Sequence, residues 1–404
     1  MDPFMATKAK SDFEWDFNMQ TIAKEFHVCT SKTTYKSVPL SFMRQSNAST
    51  TSIEDFQARF GRAKRTLPMI PMPSKKLNPS SRRIYVISDL HTDYAANLEW
   101  VRQLSSSFYE KDTLIVAGDV SERLKTYTKT MSILKEKFRH VFFVPGNHDL
   151  WCRHEEEKQV NSLEKLKALI SICDSLGVQT KPNKIGKVLI IPLLCWYHKI
   201  FDKERDITGF NIPSLKKACI DNHACKWPLG LDIDHSLAQF FDQMNLEHLP
   251  KIQDLQNDGC QVITFSHFLP RQELCPEKRM LFYPNLPKVA GSDLLEARLR
   301  NIHGLNGTPT ACHVFGHTHF SWDATLNGVR YIQAPLAYPK ERQRRMNGGE
   351  DWLPLCIYDS EFGLIDGPLP CYWSDYYRSH KRKPENIELS PWVANLYRKV
   401  ESTL

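Results

Sequence analysis

Seven polar side chains stand just past the ends of short apolar runs in this sequence, and their types are those that bind metals. Asp89 and His91 follow Ile84-Tyr85-Val86-Ile87. Asp119 follows Leu114-Ile115-Val116-Ala117 and Gly118. Asn147 lies in Gly146-Asn147-His148-Asp149, after Val141-Phe142-Phe143-Val144. His267 closes the run from Gln261 to Ser266, and His317 and His319 follow Cys312 to Phe315 and Gly316. Two Asp, one Asn and four His make an oxygen-and-nitrogen shell without thiolate, which suits Zn, Fe or Mn. Seven ligands are too many for one four-coordinate ion. Two ions sharing one carboxylate would use them all, about four per metal, the arrangement that serves phosphoryl chemistry.

The elements that must position these groups are legible from pattern. Each apolar run is rich in β-branched residues and bounded by turn residues, as buried strands are. Between the runs lie helical faces: Asn97, Leu98, Val101 and Leu104, then Leu124, Tyr127, Met131, Leu134 and Phe138. A longer one carries Val160, Leu163, Leu166, Ile170, Cys173 and Leu176, with Gly177 as its C-terminal cap. Strand, helix, strand at about thirty residues per repeat is the pattern of a layered α/β domain. Further strands are expected at Val188 to Leu194, Val329 to Gln333 and Leu355 to Tyr358, and helices through Leu237 to Met244 and from Ser292. In open α/β sheets ligands bind beyond the carboxyl ends of the strands, so these polar residues should converge on one crevice. Residues two apart in extended chain point the same way, so both members of Asp89-x-His91 and of His317-x-His319 can reach it.

The order Asp-x-His, Gly-Asp, Gly-Asn-His-Asp, His, Gly-His-x-His resembles that of the calcineurin-like metallophosphoesterases, over about Arg83 to Pro339. The resemblance implies a four-layer α-β-β-α sandwich of two mixed sheets. It implies one metal held by Asp89, His91, Asp119 and His319, and a second by Asp119, Asn147, His267 and His317, with Asp119 bridging. The residue matching His148 is not a ligand in that family; it stands near the leaving-group oxygen and donates a proton or hydrogen bond. In the protein-phosphatase branch, the second block continues to an acid that orients the catalytic His and an Arg on the phosphate. Glu122 and Arg123 occupy those positions here. The sequence departs from that branch by Glu in place of Asp, by no Gly after the Arg, and by His267-Phe268-Leu269 where a Gly pair follows the His. It is therefore not read as a typical Ser/Thr protein phosphatase.

The chemistry expected is metal-dependent hydrolysis of a phosphate ester. Two cations would polarise the phosphoryl oxygens and lower the pKa of a bridging water, giving the attacking hydroxide, while His148 stabilises the departing alkoxide. The other reading is a non-catalytic scaffold that keeps the fold and acts through its extensions. The intact ligand positions and His148 favour the enzyme.

Neighbouring residues are read more plainly. Trp196 is assigned to core, while Trp151 either stacks a base or fills core. Cys152 is expected to be buried and inert. Asp93 and Asp149 are candidates to hold ligand imidazoles from behind. Lys340, Arg342, Arg344 and Arg345, interrupted by Glu341, read as a solvated surface loop, as does the His380 to Lys383 run.

Composition bounds the rest. The chain has 404 residues, 41% hydrophobic and 25% charged, which fits a globular protein with a substantial core. The longest apolar run, Val188 to Tyr197, is too short for a bilayer span. The net charge of +7 suits an anionic substrate. It comes without a basic-aromatic array for long nucleic acid, leaving a small phosphorylated metabolite or a nucleotide. Eleven Cys without a Cys-x-x-Cys pair point to a reducing compartment such as the cytoplasm. Residues 1–82 read as a flexible extension and linker, with Pro68, Pro71, Pro73 and Pro79 near its end. An organelle-targeting role is the sharper alternative, weighed against by Asp2, Asp12, Glu14 and Asp16. The catalytic domain is expected at 83–340, with an insertion near 196–250 and a C-terminal extension, 341–404, packed on it.

Overall fold

A computed structural model describes residues 81–154, 160–231, 235–256, 259–308, 310–343, 352–365, 369 and 371–398. The N-terminal extension expected at 1–82 lies almost wholly outside them. Among the described residues, eleven strands form two sheets. The first has the order β11-β10-β1-β2-β3, from β1 (Arg83–Ile87), β2 (Thr113–Ala117), β3 (His140–Val144), β10 (Leu355–Asp359) and β11 (Gly363–Leu364). β1, β2 and β3 are parallel, whereas β10 runs antiparallel to β1. The second has the order β4-β5-β6-β7-β9-β8, from β4 (Asn183–Ile185), β5 (Val188–Pro192), β6 (Gln261–Phe265), β7 (Cys312–Phe315), β8 (Trp322–Leu326) and β9 (Val329–Gln333). Its centre is parallel and its two edges antiparallel. Both sheets are thus mixed.

The parallel strands are buried on both faces, which is why they read as continuous apolar runs. In β5, Val188 and Ile190 join the core shared with the first sheet, while Leu189 and Ile191 face a second core with Leu295, Leu299 and Trp373. Helices Leu124–Lys137 and Ser162–Leu176 bury Tyr127, Met131, Leu134, Leu166 and Leu169 in the first core. Helices Asp293–His303 and Tyr372–Ser379 cover the second. These are the four layers expected. The Ser162–Leu176 helix begins on a capping box from Asn161 and Glu164 and ends at Gly177 with φ 71°.

Three features were not foreseen. β8 returns to β9 through Asn327-Gly328, both at positive φ, a tight hairpin turn whose Asn-Gly pair was the available signal. Residues beyond 340 do more than pack against the domain, since β10 hydrogen-bonds directly to β1. Of the basic run, Arg344 and Arg345 lie outside the described residues and Lys340 is exposed, but Arg342 is not solvated. Arg342 is buried and donates to Asn97 Oδ1 and the Ala337 carbonyl. Among the described residues, no helix is long and apolar enough to cross a membrane, and the cysteines are free.

A buried polar chain crosses the second sheet. Thr264 Oγ1 lies 2.9 Å from both His303 Nε2 and His313 Nδ1, and Ser266 Oγ lies 3.0 Å from His313 Nε2. Burial, helped by Arg300, pushes His303 down from 6.5 to about 4. The unfolded chain therefore takes up this proton at higher pH than the folded one. The stability is fully present above about pH 6.5 and is lost as pH falls through about 4. Between pH 7 and 4, wild type is expected to lose about 3 kcal/mol more than His303→Gln in denaturant titrations. Parallel stability curves for the two proteins would contradict this.

Candidate metal centre

The carboxyl ends of β1, β2, β3, β6 and β7 meet where the two sheets touch. Ser88 donates its amide to the Ala334 carbonyl, and Leu336 and Ala337 donate theirs to Ser88 and Asp89. Five of the seven non-glycine residues at positive φ among those described are here: Asp89 (53°), His91 (42°), Asp119 (54°), His317 (74°) and His319 (57°). Each costs on the order of 1 kcal/mol and persists only where the surroundings enforce it, as at functional sites. Glycine clears the space. Gly118, at φ 84°, has no room for a Cβ beside the His267 ring, and Gly146 has none beside the Asp119 carboxylate.

Two groups of donor atoms result, each drawn within 4.8 Å: Asp89, His91, Asp119 and His319, and Asp119, His267 and His317. Asp119 belongs to both. Its Oδ1 accepts from the His148 amide at 2.9 Å. Its Oδ2 faces His267 Nε2 at 3.4 Å on one side and His91 Nε2 at 3.8 Å on the other. Asn147 Oδ1 completes the second group, 3.2 Å from His267 Nε2 and 3.0 Å from His317 Nδ1. The ring nitrogens turned away from the centre are anchored. His267 Nδ1 meets the Ala117 carbonyl, His317 Nε2 the Val289 carbonyl, and His319 Nδ1 the Glu341 carboxylate at 2.8 Å. Such anchors fix which nitrogen is presented to a metal.

Burial works against charge on every one of these groups, and neighbours decide the outcome. Burial would raise Asp89, yet His319 draws it down to about 2. Asp119 is held low against its burial by His267 and His148. Burial and then His319 push His91 down to about 4, and burial and then His267 push His317 down to about 3. Asp119 overcomes burial to raise His267 to about 9, and Glu341 holds His319 above its ordinary value against burial. The two buried carboxylates are held low by their imidazole neighbours and need counter-charge, which cations would supply, so the donor set fits a metal pair.

His148 is buried beside the pair. Its Nε2 is 3.9 Å from Asp119 Oδ2 and 3.5 Å from the Tyr338 hydroxyl. Its ring stacks on Trp151 at 3.7 Å between centroids. Glu122 does not take the expected place on His148. Its carboxylate receives two hydrogen bonds from Arg153, at 2.6 and 3.0 Å, because the guanidinium fork matches it. Arg153 in turn lies 4.9 Å over the Trp151 ring, so Glu122 reaches His148 through that stack. Arg123 is exposed, at the N-terminal cap of helix Leu124–Lys137.

Other neighbours correct the sequence reading. Asp149 holds no imidazole; it accepts from the amides of Asp119, Val120, Ser121 and Gly146, tying the second and third blocks together. Asp93 accepts from the Ser121 hydroxyl and the Glu122 amide. Trp196 is core, packed among Tyr197, Trp227 and Phe241. Glu341, read as a break in a basic run, and Tyr338, whose ring lies 4.5 Å from that of His91, were missed. Their only sequence signal was a position shortly after β9.

Residues 82–321, more than half of the chain, match the calcineurin-like phosphoesterase family, and the chain belongs to that family. An acyl-carrier-protein phosphodiesterase of Mycobacterium tuberculosis is 25% identical over 303 residues, covering 72% of this chain and 87% of that protein. An uncharacterized protein of Acanthamoeba polyphaga mimivirus is 22% identical over 298 residues, 70% of this chain and 99% of the other. The crystal structure of the phosphopantetheinyl hydrolase of Mycobacterium tuberculosis has the same fold, with a TM-score of 0.55 over 70% of this chain and 98% of that one, at 22% identity.

Proposed function

We propose that this protein is a hydrolase of phosphate esters with a two-metal centre, acting on a diester in preference to a monoester. The observation that carries the reading is Asp119 Oδ2, which faces two convergent groups of buried and part-buried donors. In this reading Asp89, His91, Asp119 and His319 hold one ion, and Asp119, Asn147, His267 and His317 the other. When bound, such ions supply Lewis-acid polarisation of the phosphoryl oxygens and lower the pKa of a water; their identity is Mn, Fe or Zn. His148 presents Nε2 toward the leaving oxygen and supplies its proton or hydrogen bond. Trp151 holds that ring in place, and Glu122 holds Arg153 over Trp151. Arg123 is assigned to the phosphate once substrate is present. Arg123→Ala should then raise KM several-fold and leave the metals in place.

The preference for a diester is supported by the named activity of the mycobacterial relative. It makes a phosphopantetheinyl group, joined through phosphate to a carrier, the first substrate to try. The test uses Mn²⁺-loaded protein. Release of nitrophenol is compared between bis-nitrophenyl phosphate and nitrophenyl phosphate, and a phosphopantetheinylated acyl carrier protein is followed by mass. The diester should turn over faster, and the carrier should lose its prosthetic group. Faster turnover of the monoester, or of a nucleotide, would return the substrate to a small phosphorylated metabolite. No turnover with both metals bound would leave the scaffold reading.

Glu341 gives a further expectation. Glu341→Ala removes the acceptor of His319 Nδ1 and should weaken the ion at Asp89 and His91 by about 10- to 100-fold in a metal titration. Unchanged affinity would show that His319 needs no such anchor.

A further inference from the structure

The stretch between Trp196 and Pro250 forms short turns before its one long helix, His235–Met244, and those turns bring a carboxylate to the back of the metal centre. Asp221 is buried, at 4% exposure, and begins a single helical turn, Asp221–Ala224. Three nitrogen and oxygen donors meet it, besides Cys219 Sγ at 3.8 Å from Oδ2. Asn147 Nδ2 donates to Oδ1 at 2.9 Å, Trp151 Nε1 donates to the same oxygen at 2.7 Å, and the Tyr197 hydroxyl donates to Oδ2 at 2.9 Å. All three partners border the site. Asn147 offers its oxygen to the second donor group, Trp151 carries the ring of His148, and Tyr197 lies alongside His317.

We infer that Asp221 is a positioning residue that sets which end of the Asn147 amide faces the second metal. The chemistry is that of an amide with one acceptor end and one donor end. With a carboxylate oxygen behind it, Asn147 can satisfy that oxygen only by turning Nδ2 outward, which leaves Oδ1 toward His267 and His317. Without the acceptor, the amide loses its reason to prefer this orientation, and the opposite one would aim N–H groups at a cation. The same oxygen fixes the indole plane on which His148 rests. One buried carboxylate thereby couples the second metal to the proton donor. The first group, Asp89, His91 and His319, has no part in the arrangement. This inference rests on the two-metal reading above.

The test compares Mn²⁺ stoichiometry and affinity by calorimetric titration, with far-UV circular dichroism to establish folding. Wild type should bind two Mn²⁺ per chain. Asp221→Ala should keep one at wild-type affinity and bind the other about 10- to 100-fold more weakly, with a matching drop in diester turnover. Asp221→Ser, too short to reach Asn147 and Trp151 together, is expected to behave the same way and serves if the alanine variant does not fold. Asp221→Asn retains an oxygen for both donors and should bind both ions within about threefold of wild type. Selective loss of one ion separates positioning from general destabilisation, which would weaken both. Two ions bound normally by folded Asp221→Ala or Asp221→Ser would overturn the inference. So would one ion lost from Asp221→Asn. Wild type that binds no Mn²⁺ would instead defeat the two-metal reading itself.

Discussion

Asp119→Ala is expected to empty both metal positions and to lower phosphoester turnover on the order of 10³-fold or more, the scale seen when transition-state charge loses its stabiliser. The reason is geometric. Oδ2 is the one oxygen that faces both His91 and His267, so its removal leaves each ion short of an anionic ligand. The loss is not purely electrostatic, because Oδ1 also accepts the His148 amide. A buried amide left without an acceptor costs about 1–3 kcal/mol. Asp119→Asn separates the two effects: it can keep the amide bond while removing the charge. The asparagine variant should be closer to wild type in denaturant midpoint than the alanine variant, yet still deficient in metal. Elemental analysis of both variants, beside their unfolding curves, checks this. Retention of both ions by Asp119→Ala would deny that the carboxylate is shared.

His148→Ala should behave in the opposite sense. It should keep both ions and lose about 10²- to 10⁴-fold in kcat, the usual contribution of a positioned proton donor. His148 Nε2 stands 3.9 Å from Asp119 Oδ2, and its ring is committed to the stack on Trp151. Metal content measured beside kcat decides the matter. If His148→Ala strips the metals, His148 is a ligand and the division of roles is wrong. If it keeps the metals and full turnover, the proton donor lies elsewhere, with the Tyr338 hydroxyl 3.5 Å away as the nearest alternative.

How much of this was legible in the chain follows from where each residue sits. The convergent donors were legible because each follows a buried strand, and a strand buried on both faces announces itself as a short apolar run. The strand ends alone then predict convergence. The residues behind the site left no such mark. Asp221 lies 74 positions from Asn147, in a stretch of short turns that carries no period. Glu341 is set among basic residues, where charge counting favours a wet loop; what buries it is the return of the chain after β9 against His319. Glu122 stands at the position that resemblance assigns to an acid on the histidine, but Arg153 claims its carboxylate. Asp149 appeared suited to an imidazole, yet four backbone amides reach it first. Local pattern thus supplied the residues that touch the centre. The residues that hold them depend on pairings across distant parts of the chain.

The most direct test of the central claim is the number of metal ions in the purified wild-type protein, by elemental mass spectrometry after loading with Mn²⁺ and gel filtration. The account predicts close to two ions per chain, falling to near none in Asp119→Ala. One ion or none in the wild-type protein, under conditions where it is folded, would contradict the two-metal centre.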